Sequence, residues 1–410
     1  MHIKELTINE FTNYQLNHAL SSYNQTINYG ILMAENTHDY DLIGYVDSDN
    51  NIYAASLIII KKLNNKFFYG YAPKGFLIDY SNETLLRNFT NDLKEYYKQK
   101  NVIFIKINPE IAVAEIDTVK FKPLYNINDN ITNILINNGY KKLKDNLYFE
   151  SMIPRFNAFI KTNEFNINNI NKNAKNKIKK GIRKGLVFEK ADKNDLDIFY
   201  NFIKNKKEKH LNYYKDFYTV FEKDNNIDLF LVKIDYNKFL LNSQRAYEEE
   251  LEKNNYFNEL LINSVNPKLL NRKMNSDKTL LVYKNDILEA TKGMQNNNDI
   301  YIAGALVVTH KNKASIIMSG YDQNYKRFVP NYFLHYNIIN YYYKDYDFID
   351  LNGMTGDFTA ANPYKGLNDF KLSFNPKLFE FIGEFDLIID EFAYKTVLKT
   401  GLLAREFNKK

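Results

Sequence analysis

The first 150 residues alternate between apolar runs typical of strands and a periodic pattern typical of a helix. The segments 41–46 and 52–61 flank the turn-rich stretch 47–51 and predict a β-hairpin. Between 84 and 98, apolar side chains recur every three or four residues, which predicts an amphipathic helix. The run 102–107 predicts a strand that is buried on both faces of a sheet. This order of elements indicates a mixed α/β unit.

The same hairpin, helix and strand order returns in the second half of the chain. A short strand at 156–160 follows Pro154-Arg155, and a strongly basic helix is expected at 171–184, ending at Gly185 as a C-cap. The later pattern predicts a helix at 195–209, a strand at 228–234, a hairpin at 301–309 and 314–319, a helix at 331–343 and a strand at 348–351. Two copies of one α/β module are therefore predicted, without a repeat at the level of residues.

Residues 237–295 interrupt the second copy with a different pattern. Sparse apolar positions on a charge-rich background predict helices at 243–263 and 278–295, and Asn266-Pro267 between them can turn the chain. Two antiparallel helices that project as a coiled-coil hairpin arm fit this pattern. An ordinary pair of surface helices is the alternative interpretation.

These patterns predict an α/β fold of two similar domains, each resembling the acetyltransferase (GNAT) fold, with the helical hairpin arm inserted in the second. A chain of 410 residues is long enough for more than one core. We assign 1–153 to the first GNAT-like domain, 154–236 together with 296–410 to the second, and 237–295 to the arm.

The amino-acid composition excludes several kinds of catalytic and metal site. The chain has no cysteine, which excludes a thiol nucleophile and a thiolate metal site, and its 6 histidines show no metal-ligand spacing. The net charge of +6 suits anionic partners, although a solvated excess of surface lysine explains it equally well. The N-terminus lacks the apolar core of a signal peptide, and every apolar run is too short to span a bilayer. We therefore expect a cytoplasmic protein.

Loops next to predicted strands carry the residues most suited to binding or catalysis. Tyr71 and Lys74 lie in a loop with Gly and Pro, where a lysine can meet an anion, although a structural turn explains this loop as well. Asn108 follows a buried strand, at the edge where open α/β sheets bind ligands. The stretch 346–356 is a third such segment, because it contains a predicted strand and continues into Gly353 and Gly356.

A fourth segment, 366–374, places Lys371 between two rings, Phe370 and Phe374. A lysine bracketed by aromatic side chains is partly desolvated or packed against them. A lysine on a core strand, with its amine reaching solvent, is the alternative interpretation.

A feature of acetyl-CoA-dependent GNAT enzymes is missing from this chain. Those enzymes carry a glycine-rich loop before the helix that binds pyrophosphate. The equivalent stretch, 325–331, contains a proline and no glycine. A coenzyme A donor is therefore disfavoured.

Taken together, these segments resemble the FemA/FemX family, which builds the interpeptide bridges of peptidoglycan, from the first strand to about Asp390. The order, spacing and coverage of the motifs carry the resemblance, and the arm lies where long-form members have a coiled-coil hairpin. The matching motifs are 24–26, 73–81, 105–109, Pro154-Arg155, 230–235, 328–332, Phe370-Lys371 and 382–386.

The resemblance implies an aminoacyltransferase of cell-wall biogenesis that uses no cofactor. Its donor would be aminoacyl-tRNA, and its acceptor the side-chain amine at position three of the stem peptide of a peptidoglycan precursor, held in a cleft of the first domain. Glycine is the expected amino acid, with alanine or serine as alternatives, and the precursor can be lipid-linked or nucleotide-linked. Partner Fem proteins and peripheral contact with the inner face of the membrane are further expectations.

The roles of individual residues follow from the same resemblance. Lys371 matches an essential Phe-Lys pair and is expected to be a cation near the ester carbonyl or the tRNA 3′ end, with Phe370 orienting the terminal adenosine or the lysine. Tyr71 and Lys74 are expected to contact the precursor. The basic helix at 171–184, or the arm, could hold tRNA phosphates, and a solvated basic face is the alternative.

Three positions depart from the pattern of the family. Asn108 stands where members commonly have Asp, and an amide cannot take a proton, although it can position the acceptor amine. Met33 and Lys209 stand where members that use nucleotide-linked precursors hold the phosphates with a Lys and an Arg; Lys209 lacks the bidentate fork of Arg. A Fem-like scaffold that binds tRNA or partner proteins without catalysis is therefore an alternative hypothesis. A GNAT-type acyltransferase with another carrier is disfavoured by the missing pyrophosphate loop.

Overall fold

The computed structural model describes residues 1–35, 39–128, 130–150, 152–205, 209–263, 266–295 and 300–401. The strands are β1 His2–Glu5, β2 Asp39–Val46, β3 Ile52–Lys62, β4 Phe68–Ala72, β5 Val102–Ile107, β6 Ala112–Ile116, β7 Pro123–Asn126, β8 Tyr140–Lys142, β9 Phe156–Lys161, β10 Leu186–Ala191, β11 Ile227–Ile234, β12 Ile300–His310, β13 Lys313–Tyr321, β14 Phe348–Met354, β15 Lys377–Phe381 and β16 Phe385–Ile388. The helices are α1 Ile8–Asn17, α2 Ile27–Glu35, α3 Glu83–Gln99, α4 Ile131–Asn137, α5 Lys172–Arg183, α6 Leu196–Ile203, α7 Leu211–Glu222, α8 Tyr236–Asn263, α9 Pro267–Met294, α10 Pro330–Tyr342, α11 Lys365–Leu372 and α12 Glu391–Lys399.

The strands form two sheets that share one design. The first has the order β1-β2-β3-β4-β5-β16-β8, and the second β10-β11-β12-β13-β14-β9-β15-β6-β7. In each, three antiparallel strands lead to a parallel pair, β4–β5 or β13–β14, joined by a crossover helix, α3 or α10. The predicted α/β class with a repeated module is confirmed.

Local sequence explains the crossover helix of the first module. The Asn82 side chain caps α3 by accepting from the N–H of Leu85 (3.0 Å), and Leu86, Phe89 and Leu93 are fully buried against the sheet. Burying each such side chain stabilises the fold by about 1.5–3 kcal/mol. The strand β5 beneath is buried at every position, as predicted.

The two sheets exchange strands across the proposed domain boundary. Strand β16, late in the chain, lies between β5 and β8 of the first sheet, while β6 and β7 extend the second sheet through β15. A buried ion pair fixes the first exchange, since Lys106 Nζ on β5 lies 2.9 Å from Asp386 Oδ1 on β16. The division into 1–153 and 154–236 with 296–410 therefore stays a proposal about domains, and neither part closes its sheet alone.

Helices α8 and α9 run antiparallel and form the predicted arm between β11 and β12. Both are longer than predicted, and polar contacts such as Ser276 Oγ to Glu250 Oε1 (2.6 Å) join them. At the base of the arm, Lys184 Nζ contacts Asp286 Oδ1 at 2.8 Å and ties α9 to the end of α5. No helix in the described part of the chain is both long and apolar enough to cross a bilayer.

Two local expectations were wrong. The helix predicted at 195–209 ends at Ile203, because the polar run that follows offers nothing to bury; residues 206–208 lie outside the described part of the chain. The alternative that placed Lys371 on a core strand also fails, since the residue lies on helix α11. Phe370 lies on this helix and Phe374 just beyond its end, and their rings pack with centroids 5.4 Å apart.

Candidate functional site

A cavity of about 390 Å³ opens where the two modules meet. On one side, β4 and β5 end and pass into the loops that carry Lys74 and Glu110. On the other side, β13 and β14 pair only from Lys313–Ser315 to Phe348–Asp350 and then diverge. The carboxyl edge of parallel strands is where open α/β sheets bind ligands, so this cavity is the candidate site.

Three of the four predicted substrate-binding residues, Tyr71, Lys74 and Lys209, line this cavity. The fourth, Asn108, stands behind two of them and uses both ends of its amide. Its Nδ2 donates to Tyr71 Oη (3.2 Å), and its Oδ1 accepts from the N–H of Lys74 (2.9 Å). Asn108 therefore positions the loop and the tyrosine in the structure, a role that suits an amide with a donor and an acceptor.

Four charged side chains form the centre of the cavity. Glu110 contacts Lys74 Nζ (3.6 Å) and Lys313 Nζ (2.5 Å), and Asp350 lies beside them on β14. Burial raises the pKa of Glu110, but the attraction of Lys313 and Lys74 outweighs it and the pKa falls to about 2. Burial raises the pKa of Asp350, and the nearby lysines only partly offset this. Two carboxyl groups in one cavity are thus driven in opposite directions.

Aromatic side chains make up one wall of the cavity. Tyr23, Tyr29, Tyr71 and Tyr213 all line it, and burial raises the pKa of each, that of Tyr29 to about 12. These phenols therefore stay protonated and can donate hydrogen bonds to an anion or a carbonyl. Sequence reasoning missed three of these four residues, because nothing marks them among 33 tyrosines.

Lys371 lies on the far side of β14 and does not belong to the described residues that line the cavity. Its Nζ donates to the carbonyl of Gly353 at 2.6 Å. Burial lowers the pKa of Lys371 to about 8, although the negative charge of Asp350 acts in the opposite direction. Gly353 has no room for a side chain, because a Cβ there would meet Pro154 at 2.3 Å. Through Asp350 and Gly353, strand β14 connects the lysine to the cavity.

Phe370 packs in an aromatic cluster and not on the cavity wall. Its ring meets those of Tyr332, His335 and Phe374 edge to face, with centroids 4.9, 4.8 and 5.4 Å apart. Such pairs contribute about 0.5–1.5 kcal/mol each beyond their buried area. The cluster fixes α11 and therefore fixes Lys371.

The two positions that depart from the phosphate-holding pattern differ in exposure. Met33 is buried in an apolar cluster with Phe11 and Leu57, beneath the first sheet. Lys209 is exposed at the rim of the cavity, with its Nζ 4.8 Å from the ring centroid of Tyr213. Among the described residues of this rim, Lys209 and the neighbouring tyrosine hydroxyl are the groups that a phosphate could contact.

A second cavity, of about 520 Å³, lies beside α11 on its other side. Asn171, Lys177, Tyr332 and Ser373 line it, and the basic helix α5 forms one wall. Burial and the charges of Lys184 and Arg183 lower the pKa of Lys180. These three cations lie towards the C-terminal end of α5, where Asp286 on the arm pairs with Arg183 and Lys184, whereas Lys177 is the basic residue of α5 that lines this cavity among the described residues.

Two modules of this kind around one polar cavity define a protein of the double GNAT-like class. The model of the FemAB family matches residues 6–399, and the chain belongs to that family. It is 24% identical to a lipid II:glycine glycyltransferase of Staphylococcus epidermidis and 21% identical to that of Staphylococcus aureus, in each case over 86% of this chain and 85% of the relative. The crystal structure of FemX shares the fold, with a TM-score of 0.72, 19% identity, and coverage of 97% of this chain and 100% of FemX.

Proposed function

We propose that this protein is an aminoacyl-tRNA-dependent transferase that adds glycine to the side-chain amine of the stem peptide of a peptidoglycan precursor. Membership of the FemAB family and similarity to proteins named lipid II:glycine glycyltransferase support this assignment. The observation that carries it is the arrangement around β14, with a charged cavity on one face and the buried cation Lys371 behind the other.

The reaction needs little machinery, because an aminoacyl ester is already activated. The acceptor amine must be neutral and aligned with the ester carbonyl, and the developing oxyanion must be stabilised. Lys371 is our choice for that cation, since its ammonium is desolvated and electrostatic interactions strengthen where water is excluded. Phe370 holds the helix that carries it.

The cavity between the modules would take the precursor. Tyr71 and Lys74 are placed to contact the carboxylates and amides of a stem peptide, and Asn108 holds both in position. Lys209 at the rim would neutralise a phosphate, because Met33 is packed in the core and cannot. A lipid-linked acceptor would bring the protein to a membrane surface.

The charged tRNA would approach from the side of α5. Lys172 and Lys179 on this helix are exposed, and the second cavity lies between the helix and α11. Phosphates neutralised by such lysines release counterions, so binding should weaken steeply with salt. This arrangement would bring the 3′ end towards Lys371.

The test is direct transfer by the full-length protein. It is incubated with tRNA charged with glycine, alanine or serine and with lipid-linked or nucleotide-linked precursor, and the product is identified by mass. We expect the mass of one glycine residue to be added to the lipid-linked precursor. If the protein binds charged tRNA but adds nothing to either precursor, the non-catalytic scaffold hypothesis replaces this one.

A further inference from the structure

The proposed reaction requires a group that takes a proton from the acceptor, because the side-chain amine of a stem peptide is an ammonium at neutral pH. Two of the residues that line the cavity between the modules carry carboxyl groups, Glu110 and Asp350. Glu110 is committed to ion pairs with Lys313 and Lys74, which make it a weak base. The choice between the two therefore favours Asp350.

The position of Asp350 is set by the point where two strands part. It pairs with Ser315 in the last described pair of the β13–β14 ladder, after which the strands diverge around the cavity. The N–H of Asn352 donates to Asp350 Oδ1 at 2.7 Å and fixes the side chain. Asn352 Nδ2 in turn donates to the carbonyl of Ile316 on β13 at 3.3 Å, so a side-chain contact joins the two strands where their ladder has ended.

The charged and titratable groups around Asp350 come from every wall of the cavity. Lys313 is on β13, Lys74 and Glu110 follow β4 and β5, and Tyr23 is on the aromatic wall. Lys371 lies behind β14 and also interacts with the carboxylate. A carboxylate that is desolvated yet incompletely neutralised binds a proton more readily than an exposed aspartate does.

We propose that Asp350 is the general base that deprotonates the acceptor amine. This inference rests on the proposed function. The carboxylate takes one proton from the ammonium, and the neutral nitrogen forms a bond to the ester carbonyl carbon. The bond between that carbon and the 3′ oxygen of the tRNA breaks, and the 3′ oxygen leaves with the second proton of the nitrogen. Asp350 then returns its proton to water, and the products are an amide and uncharged tRNA.

The test compares two acceptors in wild type, D350N and a matched control, D345N. Asp345 is exposed in the turn before β14, so D345N makes the same charge change away from the cavity. One acceptor is the lipid-linked precursor with its natural side-chain amine. The other is an analogue ending in an aminooxy group, which is far less basic and is already neutral at pH 7. Circular dichroism and urea unfolding establish that the variants are folded.

We expect D350N to slow transfer to the natural amine by about 10²–10⁴-fold, the range of general base catalysis, and transfer to the aminooxy acceptor by less than about threefold. D345N should match wild type with both. If D350N slows transfer to both acceptors by the same factor, the inference is overturned, because a structural role, or an indirect effect on Lys371, slows both transfers alike. Unchanged transfer in D350N would overturn it as well. If wild type transfers to neither acceptor, the proposed function fails, and the inference fails with it.

Discussion

The two parallel strand pairs of this protein have the same topology and opposite local structure. In the first module, β4 and β5 stay paired to their ends, where Ala72 lies opposite Ile107. In the second module, the ladder between β13 and β14 is limited to three residue pairs before the strands diverge. The first pair closes one wall of the cavity, and the second pair opens to form another.

The polar residues at the two places differ accordingly. At the closed pair, the amide of Asn108 is satisfied within the protein by Tyr71 and Lys74. At the open pair, Asp350 keeps one edge towards the cavity, and Lys371 behind it donates to a neutral carbonyl. A module that closes its strand pair gains a rigid binding wall, whereas one that opens it gains room for reactive groups.

Removing the cation behind the open pair should have the largest effect. We expect K371M to lower the rate of glycine transfer by about 10²–10³-fold, the usual loss when one stabilising group for an oxyanion is removed. Binding of charged tRNA should change little because methionine keeps the packing volume, whereas the free energy of unfolding at pH 7 should rise, because the buried ammonium that opposes folding is removed. The control is K365M, on the exposed face of the same helix. Full activity in K371M would remove Lys371 from the mechanism.

The same lysine should make stability depend on pH. Its pKa is about 8 in the folded state against 10.5 in the unfolded state. Between these values the unfolded chain binds more protons, so the free energy of unfolding rises with pH. Between pH 7 and pH 11, the free energy of unfolding of wild type should rise by about 3 kcal/mol more than that of K371M, because each unit of pKa difference contributes about 1.4 kcal/mol. Urea unfolding of both proteins measures it, and parallel curves would contradict it.

Breaking the closed pair should cost less. N108A leaves Tyr71 Oη and the N–H of Lys74 without their partner in a buried position, which costs about 1–3 kcal/mol per unsatisfied group. We therefore expect N108A to have a lower free energy of unfolding and a kcat/KM for the precursor that is about tenfold lower. N108D keeps an acceptor for Lys74 and should stay within about threefold of wild type by the same reasoning. Transfer to the precursor by N108A at the wild-type rate would show that the closed pair does not position the precursor.

The smallest expected effect is at the rim. Because Lys209 is exposed, K209A should raise KM for the precursor by about three- to tenfold without changing kcat, and the effect should shrink in salt. K209R is the conservative variant and should be close to wild type. Steady-state kinetics at two salt concentrations provide the measurement, and a change confined to kcat would place Lys209 in the chemical step instead.

Much of the fold was predictable because it is local. The spacing of apolar residues located the hairpins, α3, β5, α10 and the two arm helices, and Gly185 ends α5 with a φ of +71° as its position suggested. The exchange of strands between the two sheets was not predicted. The strand β16 pairs with β5 across nearly 280 residues, and no periodicity in either segment reports such a contact.

The candidate site was predicted in pieces. Asn108 follows a predicted strand, and Lys74 lies in a loop as expected, whereas Tyr71, expected in the same loop, lies near the end of β4, a strand that was not predicted. The stretch 346–356 was noted without any residue in it being chosen. Glu110 and Lys313 were missed because their ion pair joins residues 203 positions apart. Which of two carboxyl groups keeps its basicity depends on the cations that folding places beside each one.

The sequence by itself determined the class of fold, the arm, the absence of thiol chemistry and the residues next to strand ends, because these depend on residue type and on spacing within one element. Only the tertiary structure decided that β13 and β14 part at Asp350, that Lys371 lies behind that strand, and that Asn108 is occupied by its neighbours. The reason is physical: pKa, exposure and hydrogen-bond partners are properties of a packed environment, and that environment is assembled from segments far apart in the chain.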